Sequence, residues 1–193
     1  MIFWLKTRRA HTVLPASFGA FIGLVAFVGD VTVFLPSLGG SHQVALSLFA
    51  PIPLVAGLAF CLESRIAAAE ISAVRVVARM DIGLILITAV SSVAIGALVH
   101  QITRSSQADI TGRNFVFMTG LMLCGRVFFG ERAVLVPVMW TLSVVMAGFR
   151  PTGDAYPWTI IPETAGTLFA AFAAFLIFAI GILAHLYNSR KIS

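Results

Sequence analysis

Apolar residues in this chain gather into long blocks, each close to the roughly 20 residues that carry a helix across a bilayer. The blocks predict six spans, at residues 15–36, 44–62, 82–100, 114–129, 133–149 and 165–187. The longest polar stretch separates the second span from the third. Pro51 and Pro53 fall inside the second block, where each removes a backbone donor, and they predict a kink or local unwinding. Ser91, Ser92, Gly96 and Ala97 in the third are small residues of the kind that let helices pack closely in lipid. Residues 37–43 read as a turn and 102–113 as a polar flexible loop. Taken together, the pattern predicts an all-α polytopic membrane protein with residues 1–193 in a single transmembrane domain.

Composition removes the alternatives to that reading. Of the 193 residues, 59% are hydrophobic and 11% charged, and the mean hydropathy is +0.99. Soluble domains run at about 45–50% apolar and about 25% charged. An ordinary soluble domain is therefore excluded, and so is a disordered chain, which needs low hydrophobicity. Six spans occupy about 120 positions, which leaves too little for a separate soluble domain.

Charge sets the expected orientation. The chain carries a formal net charge of +5. With the N-terminus in the cytoplasm, Lys6, Arg8, Arg9, Arg65, Arg75, Arg79, Arg126, Arg132, Arg190 and Lys191 lie inside, and only Arg104, Arg113 and Arg150 lie outside. The positive-inside rule favours this arrangement, with both termini cytoplasmic. The same rule accounts for the basic balance without nucleic acid, for which no stacking aromatics interleaved with Arg are present. Arg126, at the inner end of the fourth block, is expected to snorkel to the interface.

At the N-terminus, Ile2, Phe3, Trp4 and Leu5 precede Lys6, Arg8 and Arg9. A signal peptide has the opposite order, charge before the apolar stretch. Residues 1–11 read instead as an amphipathic segment on the inner membrane surface, its basic side chains facing lipid headgroups.

Two connecting segments stand out. Residues 63–81 contain no Pro or Gly and are rich in Ala, so helix is expected. Arg65, Ser72 and Arg79 are seven apart and share a face, with Arg75 near its edge; Glu63 and Glu70 fall nearly opposite, beside Ile66 and Val77. Such a helix either docks a cytoplasmic partner or is a solvated extension of its neighbouring spans. Residues 150–164 hold three prolines, with Tyr156 and Trp158 suited to a membrane interface and Ile160 and Ile161 seeking cover. This segment reads either as an ordered outer cap, partly re-entrant, or as an interfacial loop anchored by its aromatics.

Motifs of chemistry are absent. No P-loop, G-x-S-x-G elbow, H-E-x-x-H or C-x-x-C occurs, and Cys61 and Cys124 lie in apolar blocks at unrelated spacing. The four histidines, His11, His42, His100 and His185, are scattered; a metal site from His42, His100 and Asp109 would lack converging ligands. Ser91 and Ser92 have no placed base to activate them. Asp30 is the one carboxylate well within an apolar block, roughly 22 Å of helix rise beyond Pro15. It reads either as part of a pathway or as an interfacial group satisfied by headgroups, Arg113 or Arg150. A small ion-coupled carrier normally needs several such groups. A non-transporting scaffold that recruits a partner through residues 63–81 fits the same pattern.

The layout resembles the permease half of type-2 ABC exporters. Its elements are a basic amphipathic N-terminal segment, six spans with both ends inside, a helical cytoplasmic loop between spans two and three, and an aromatic outer segment before the last span. The stretch 125–137, GRVFFGERAVLVP, is similar to the tight cytoplasmic turn between spans four and five in that family, and 156–162, YPWTIIP, to its outer segment. The resemblance implies a multi-pass protein of the bacterial cytoplasmic membrane. Residues 1–11 would be the elbow helix, and 63–81 would hold a coupling helix seated on a separate ABC ATPase through Glu63, Arg65, Glu70, Ser72, Arg75 and Arg79. Asp30, Tyr156, Trp158 and Glu163 would belong to the pathway or outer gate. ATP and Mg would be bound by the ATPase and no cofactor by this chain. A second permease half, identical or not, would complete the conduit for a hydrophobic, lipid-like, peptide or drug-like cargo.

Overall fold

The computed structural model describes residues 8–37, 40–64, 74–150, 154–164 and 166–191. Among these the chain is mostly helical, and five helical runs are long and apolar enough to cross a membrane: Ala10–Val28, Leu46–Glu63, Ala78–Thr103, Gln107–Ala147 and Leu168–Asn188.

Helix α1 (Ala10–Gly23) continues through a π-helical stretch, Leu24–Val28. It starts five residues before the expected first span and runs through Pro15. It also ends earlier than expected, because Thr32–Ser37 is strand β1, paired antiparallel with β2 (Gly40–Ala45) from Thr32↔Ala45 to Ser37↔Gly40. Of the turn expected at 37–43, the described residues 40–43 are thus part of the second strand, and Ser37 closes the first. The β-branched run Val31, Thr32, Val33 favours a strand, and Pro36 disfavours further helix. An isolated two-stranded ladder leaves edge N–H and C=O groups unpaired, so the hairpin belongs outside the hydrocarbon.

A 3-10 turn, Leu46–Phe49, leads into α2 (Pro51–Glu63). The two prolines do not kink a span midway. They occupy the first turn of α2, where a missing N–H leaves no intrahelical bond broken. Helix α3 (Val74–Thr103) and α4 (Ser106–Phe129) are separated by two residues, Arg104 and Ser105, with Arg104 in the left-handed region at φ 55°. The flexible loop expected at 102–113 is therefore a tight turn followed by helix. Asp109 lies in the first turn of α4, where a carboxylate is favourable.

The 41-residue run Gln107–Ala147 is not one straight rod. At its middle Gly130 has φ 54°, cheap only for glycine, and opens a 3-10 turn, Gly130–Val134, before α5 (Leu135–Ala147). Gly125 packs against Val136, and Phe117 meets Trp140 at 5.8 Å between ring centroids, so α5 runs back along α4. Helix α6 (Leu168–Lys191) completes the bundle.

Helix α4 is the hub, touching α2, α3, α5, α6 and the π-helical stretch of α1. Glycine permits its two closest crossings. A Cβ on Gly112 would sit 2.7 Å from the Val93 backbone of α3, and one on Gly120 would sit 2.7 Å from the Ile177 backbone of α6. A Cβ on Gly181 would in turn lie 2.7 Å from the Gly120 carbonyl. This is how lipid-embedded helices associate: close backbone approach replaces a hydrophobic driving force. The core is built from Phe115, Phe117, Met118, Met122 and Leu123 of α4 with Leu54, Leu58 and Leu62 of α2. The opposite surface is apolar as well, with Phe27 at 86% and Phe128 at 82% exposed. Such a surface suits lipid and not water.

Candidate functional site

Polar side chains concentrate at the two ends of the bundle. One end carries the connector between α2 and α3, and the other carries the segment Asp154–Thr164.

At the connector end, Arg8 folds inward. Its Nη2 lies 2.9 Å from Oδ2 of Asp81, and both side chains are only 1% exposed. Its Nη1 donates to the carbonyl of Leu62 (2.7 Å) and more weakly to that of Cys61 (3.5 Å). Arg126 of α4 also donates to Leu62 O (3.4 Å). Two guanidiniums thus converge on the C-terminus of α2, where orphan carbonyls and the helix dipole favour positive charge. These positions correct one expectation. Arg8 does not face headgroups, because a buried carboxylate and two carbonyls outbid the interface. Arg126, half-buried at the inner end of α4, reaches the same carbonyl end.

The docking residues expected at this end are distributed as follows. Glu63 is the last residue of α2, half-buried, with Arg126 and Glu131 nearby. Arg79 is exposed on the first turns of α3. Arg75 lies on the same helix, one turn earlier. Arg65, Glu70 and Ser72 lie outside the described residues, as do residues 1–7 of the expected elbow.

At the other end, Asp30 is exposed and accepts a hydrogen bond from Ser105 Oγ (2.5 Å), so neither Arg113 nor Arg150 is its partner. His100 Nδ1 donates to Ser105 O (2.6 Å) and fixes the α3–α4 turn. Ser47 reaches Gln107 at 3.3 Å and ties the entry of α2 to α4.

Arg113 organises the Asp154–Thr164 segment. Its Nη1 donates to Thr164 O (3.0 Å), and its Nη2 to the carbonyls of Glu163 (2.6 Å), Ile160 (3.1 Å) and Ile161 (3.4 Å). Asn114 Nδ2 adds a bond to Ile161 O (2.9 Å). The segment needs these donors. Ile160 has φ 53° and ψ −48°, and Ile161 N donates to Thr159 O across it. That is a three-residue turn of the strained kind, with a β-branched residue at its centre. Ile161 is fully buried beneath it. Trp158, 43% exposed, meets Trp140 edge-on at 5.9 Å, and Arg150 sits 5.1 Å over the Tyr156 ring. Glu163 contributes its carbonyl to Arg113 and its carboxylate to Thr167 Oγ1 (3.5 Å).

Of the expected gate residues, Trp158, Tyr156 and Glu163 therefore share one folded segment, while Asp30 is bound to a different turn. Sequence reasoning missed Arg8, Asp81, Arg113 and Asn114 as organising residues. Arg113 and Asn114 had a visible signal, since two polar side chains open an apolar block. Among the described residues no three His, Cys, Asp or Glu side chains come together as metal ligands do.

No protein-family model, curated protein or solved structure matches this chain.

Proposed function

We propose that this chain is the membrane-spanning permease subunit of an ATP-driven ABC exporter, working with a separate ATPase and a second permease half. The run that turns back at Gly130 is counted as two crossings. On that count the proposed subunit has six crossings, with both termini on the cytoplasmic face beside the α2–α3 connector. The observation that supports this reading is the buried Arg8–Asp81 pair. It locks the chain ahead of α1, the end of α2 and the start of α3 into one unit at the base of that connector. A load applied to the connector by an ATPase would move three helices together instead of being absorbed in a flexible loop. The link from ATP to substrate would be a shifted two-state equilibrium, carried by rigid elements. The strained segment at the opposite end, held by Arg113, is the element that such a movement would release.

The test is affinity capture of the tagged chain from its native membrane, followed by ATPase measurement on the reconstituted complex. A nucleotide-binding subunit is expected to accompany the wild type and to be lost with Glu70→Lys or Arg75→Glu. Capture of the chain with no such subunit, or charge-reversed variants that still assemble and stimulate hydrolysis normally, would overturn the proposal.

A further inference from the structure

A cavity of about 280 Å³ opens sideways from the bundle near its Asp154–Thr164 end, between α3, α4 and α6. Its walls are apolar: Val93 from α3, Ile110 and Val116 from α4, and Phe175 from α6. Val93 and Phe175 are themselves exposed on the lipid-facing surface, so the mouth opens to the bilayer. Two charged residues one helical turn apart, Asp109 and Arg113, complete the lining.

Asp109 acts on the charge of Arg113 from one turn away but forms no hydrogen bond with it among the described residues. The Nη atoms of Arg113 are turned to the carbonyls of residues 160–164. Asp109 is exposed and accepts no hydrogen bond among the described residues, which leaves an available carboxylate on the rim. The site therefore offers an acceptor for a cation on its rim, the positive charge of Arg113 beside it, and an apolar trough. Its volume lies just below the range of about 300–1,000 Å³ typical of ligand pockets, enough for part of one chain and not for a whole lipid.

We infer that this groove binds one acyl chain of a phospholipid whose headgroup carries a primary ammonium. The ammonium donates to Asp109, the phosphate lies beside the positive charge of Arg113, and the chain lies along Val93, Ile110, Val116 and Phe175. The ammonium requirement follows from the exposed carboxylate: a trimethylated headgroup cannot donate to it, and a headgroup without an amine offers it no counter-charge. The inference needs only that the chain sits in a bilayer and is independent of any ATPase.

The full chain, purified in detergent and stripped of lipid, is offered equal amounts of phosphatidylethanolamine, phosphatidylcholine and phosphatidylglycerol with identical acyl chains. Retained lipid is counted by native mass spectrometry. Phosphatidylethanolamine is expected to be retained about fivefold over the other two, the size of one charge-assisted bond at a partly exposed rim. Asp109→Asn should erase that preference. Ala171→Phe, which adds a ring to the groove from an exposed position, should abolish retention of the bound lipid. Circular dichroism of both variants establishes that they remain folded. Equal retention of the three lipids by the wild type, a preference that survives Asp109→Asn, or retention unchanged by Ala171→Phe would overturn the inference.

Discussion

Removing the carboxylate of Asp81 gives the most direct measure of how this bundle is held. The Arg8–Asp81 pair is 2.9 Å long with both side chains 1% exposed, so solvent screening does not weaken it. In Asp81→Ala the Arg8 guanidinium keeps its carbonyl acceptors at Leu62 and Cys61 but loses the Asp81 charge while still buried. Breaking a buried pair from one side costs about 3–5 kcal/mol. Arg8 lies just ahead of α1 and can withdraw toward the interface, which places the expected loss near 3 kcal/mol. Replacing both partners by apolar residues of similar volume, in Arg8→Met with Asp81→Leu, removes the stranded charge. What remains is the loss of the bonds to Leu62 O and, more weakly, Cys61 O, about 1 kcal/mol. The double variant should therefore be more stable than either single variant. Equilibrium unfolding by SDS titration in mixed micelles reads all four proteins on one scale. A loss below 1 kcal/mol for Asp81→Ala, or a double variant that loses the sum of the singles, would show that the pair is neither buried nor coupled.

Other substitutions probe the remaining ties. Arg113→Leu removes the guanidinium shared by four carbonyls of residues 160–164, leaving Ile161 O to Asn114 and Ile160 O to Glu163 N, and should cost about 2 kcal/mol. It should also shift Trp158 fluorescence to the red, and Arg113→Lys, which keeps the charge without the fork, should fall between. Gly120→Ala and Gly181→Ala each drive a methyl into the facing backbone at 2.7 Å and should cost about 1–3 kcal/mol in the same SDS titration. Gly19→Ala, in α1 with nothing within 4 Å of the new methyl, should instead be neutral or stabilise by up to about 1 kcal/mol. Asp30→Asn keeps an acceptor for Ser105 Oγ in an exposed setting and should change stability by less than about 1 kcal/mol.

How much of this could be read from the chain depends on how far apart the interacting residues lie. Apolar blocks are a local signal, and they placed most of the helical runs. The basic residues at the ends of the blocks were equally visible. Their partners were not: Arg8 and Asp81 are 73 residues apart, and Arg113 reaches carbonyls 47 to 51 residues away. Backbone carbonyls leave no trace in a sequence, so the acceptors of Arg113 and Arg126 could not be named from it. Residues 31–35 misled for a different reason. Val-Thr-Val-Phe-Leu is as apolar as the helix before it, and hydropathy does not separate a strand from the last turn of a span. The prolines of α2 misled because block boundaries were drawn by hydropathy, which put the helix start several residues too early.

The two ends of the bundle are tied with different strength, and this sets where it should open first. At the connector end a full ion pair is buried and α2 is capped by guanidiniums. At the other end, the bonds from Arg113 to residues 160–164 are shared with partly exposed groups and must also offset the strain at Ile160, about 1–3 kcal/mol. The net hold on Asp154–Thr164 is therefore the smaller, although Ile161 beneath it is fully buried. Local opening follows the lowest free energy available. Amide hydrogen exchange in micelles should show Glu163 N, bonded to Ile160 O, exchanging faster than Ser64 N, bonded to Phe60 O at the end of α2. Arg113→Leu should widen the gap by speeding Glu163 alone, and Asp81→Ala should narrow it by speeding Ser64. Slower exchange at Glu163 than at Ser64 in the wild type would mean that the strained turn is the firmer anchor. Any movement of the bundle would then have to begin at the connector end.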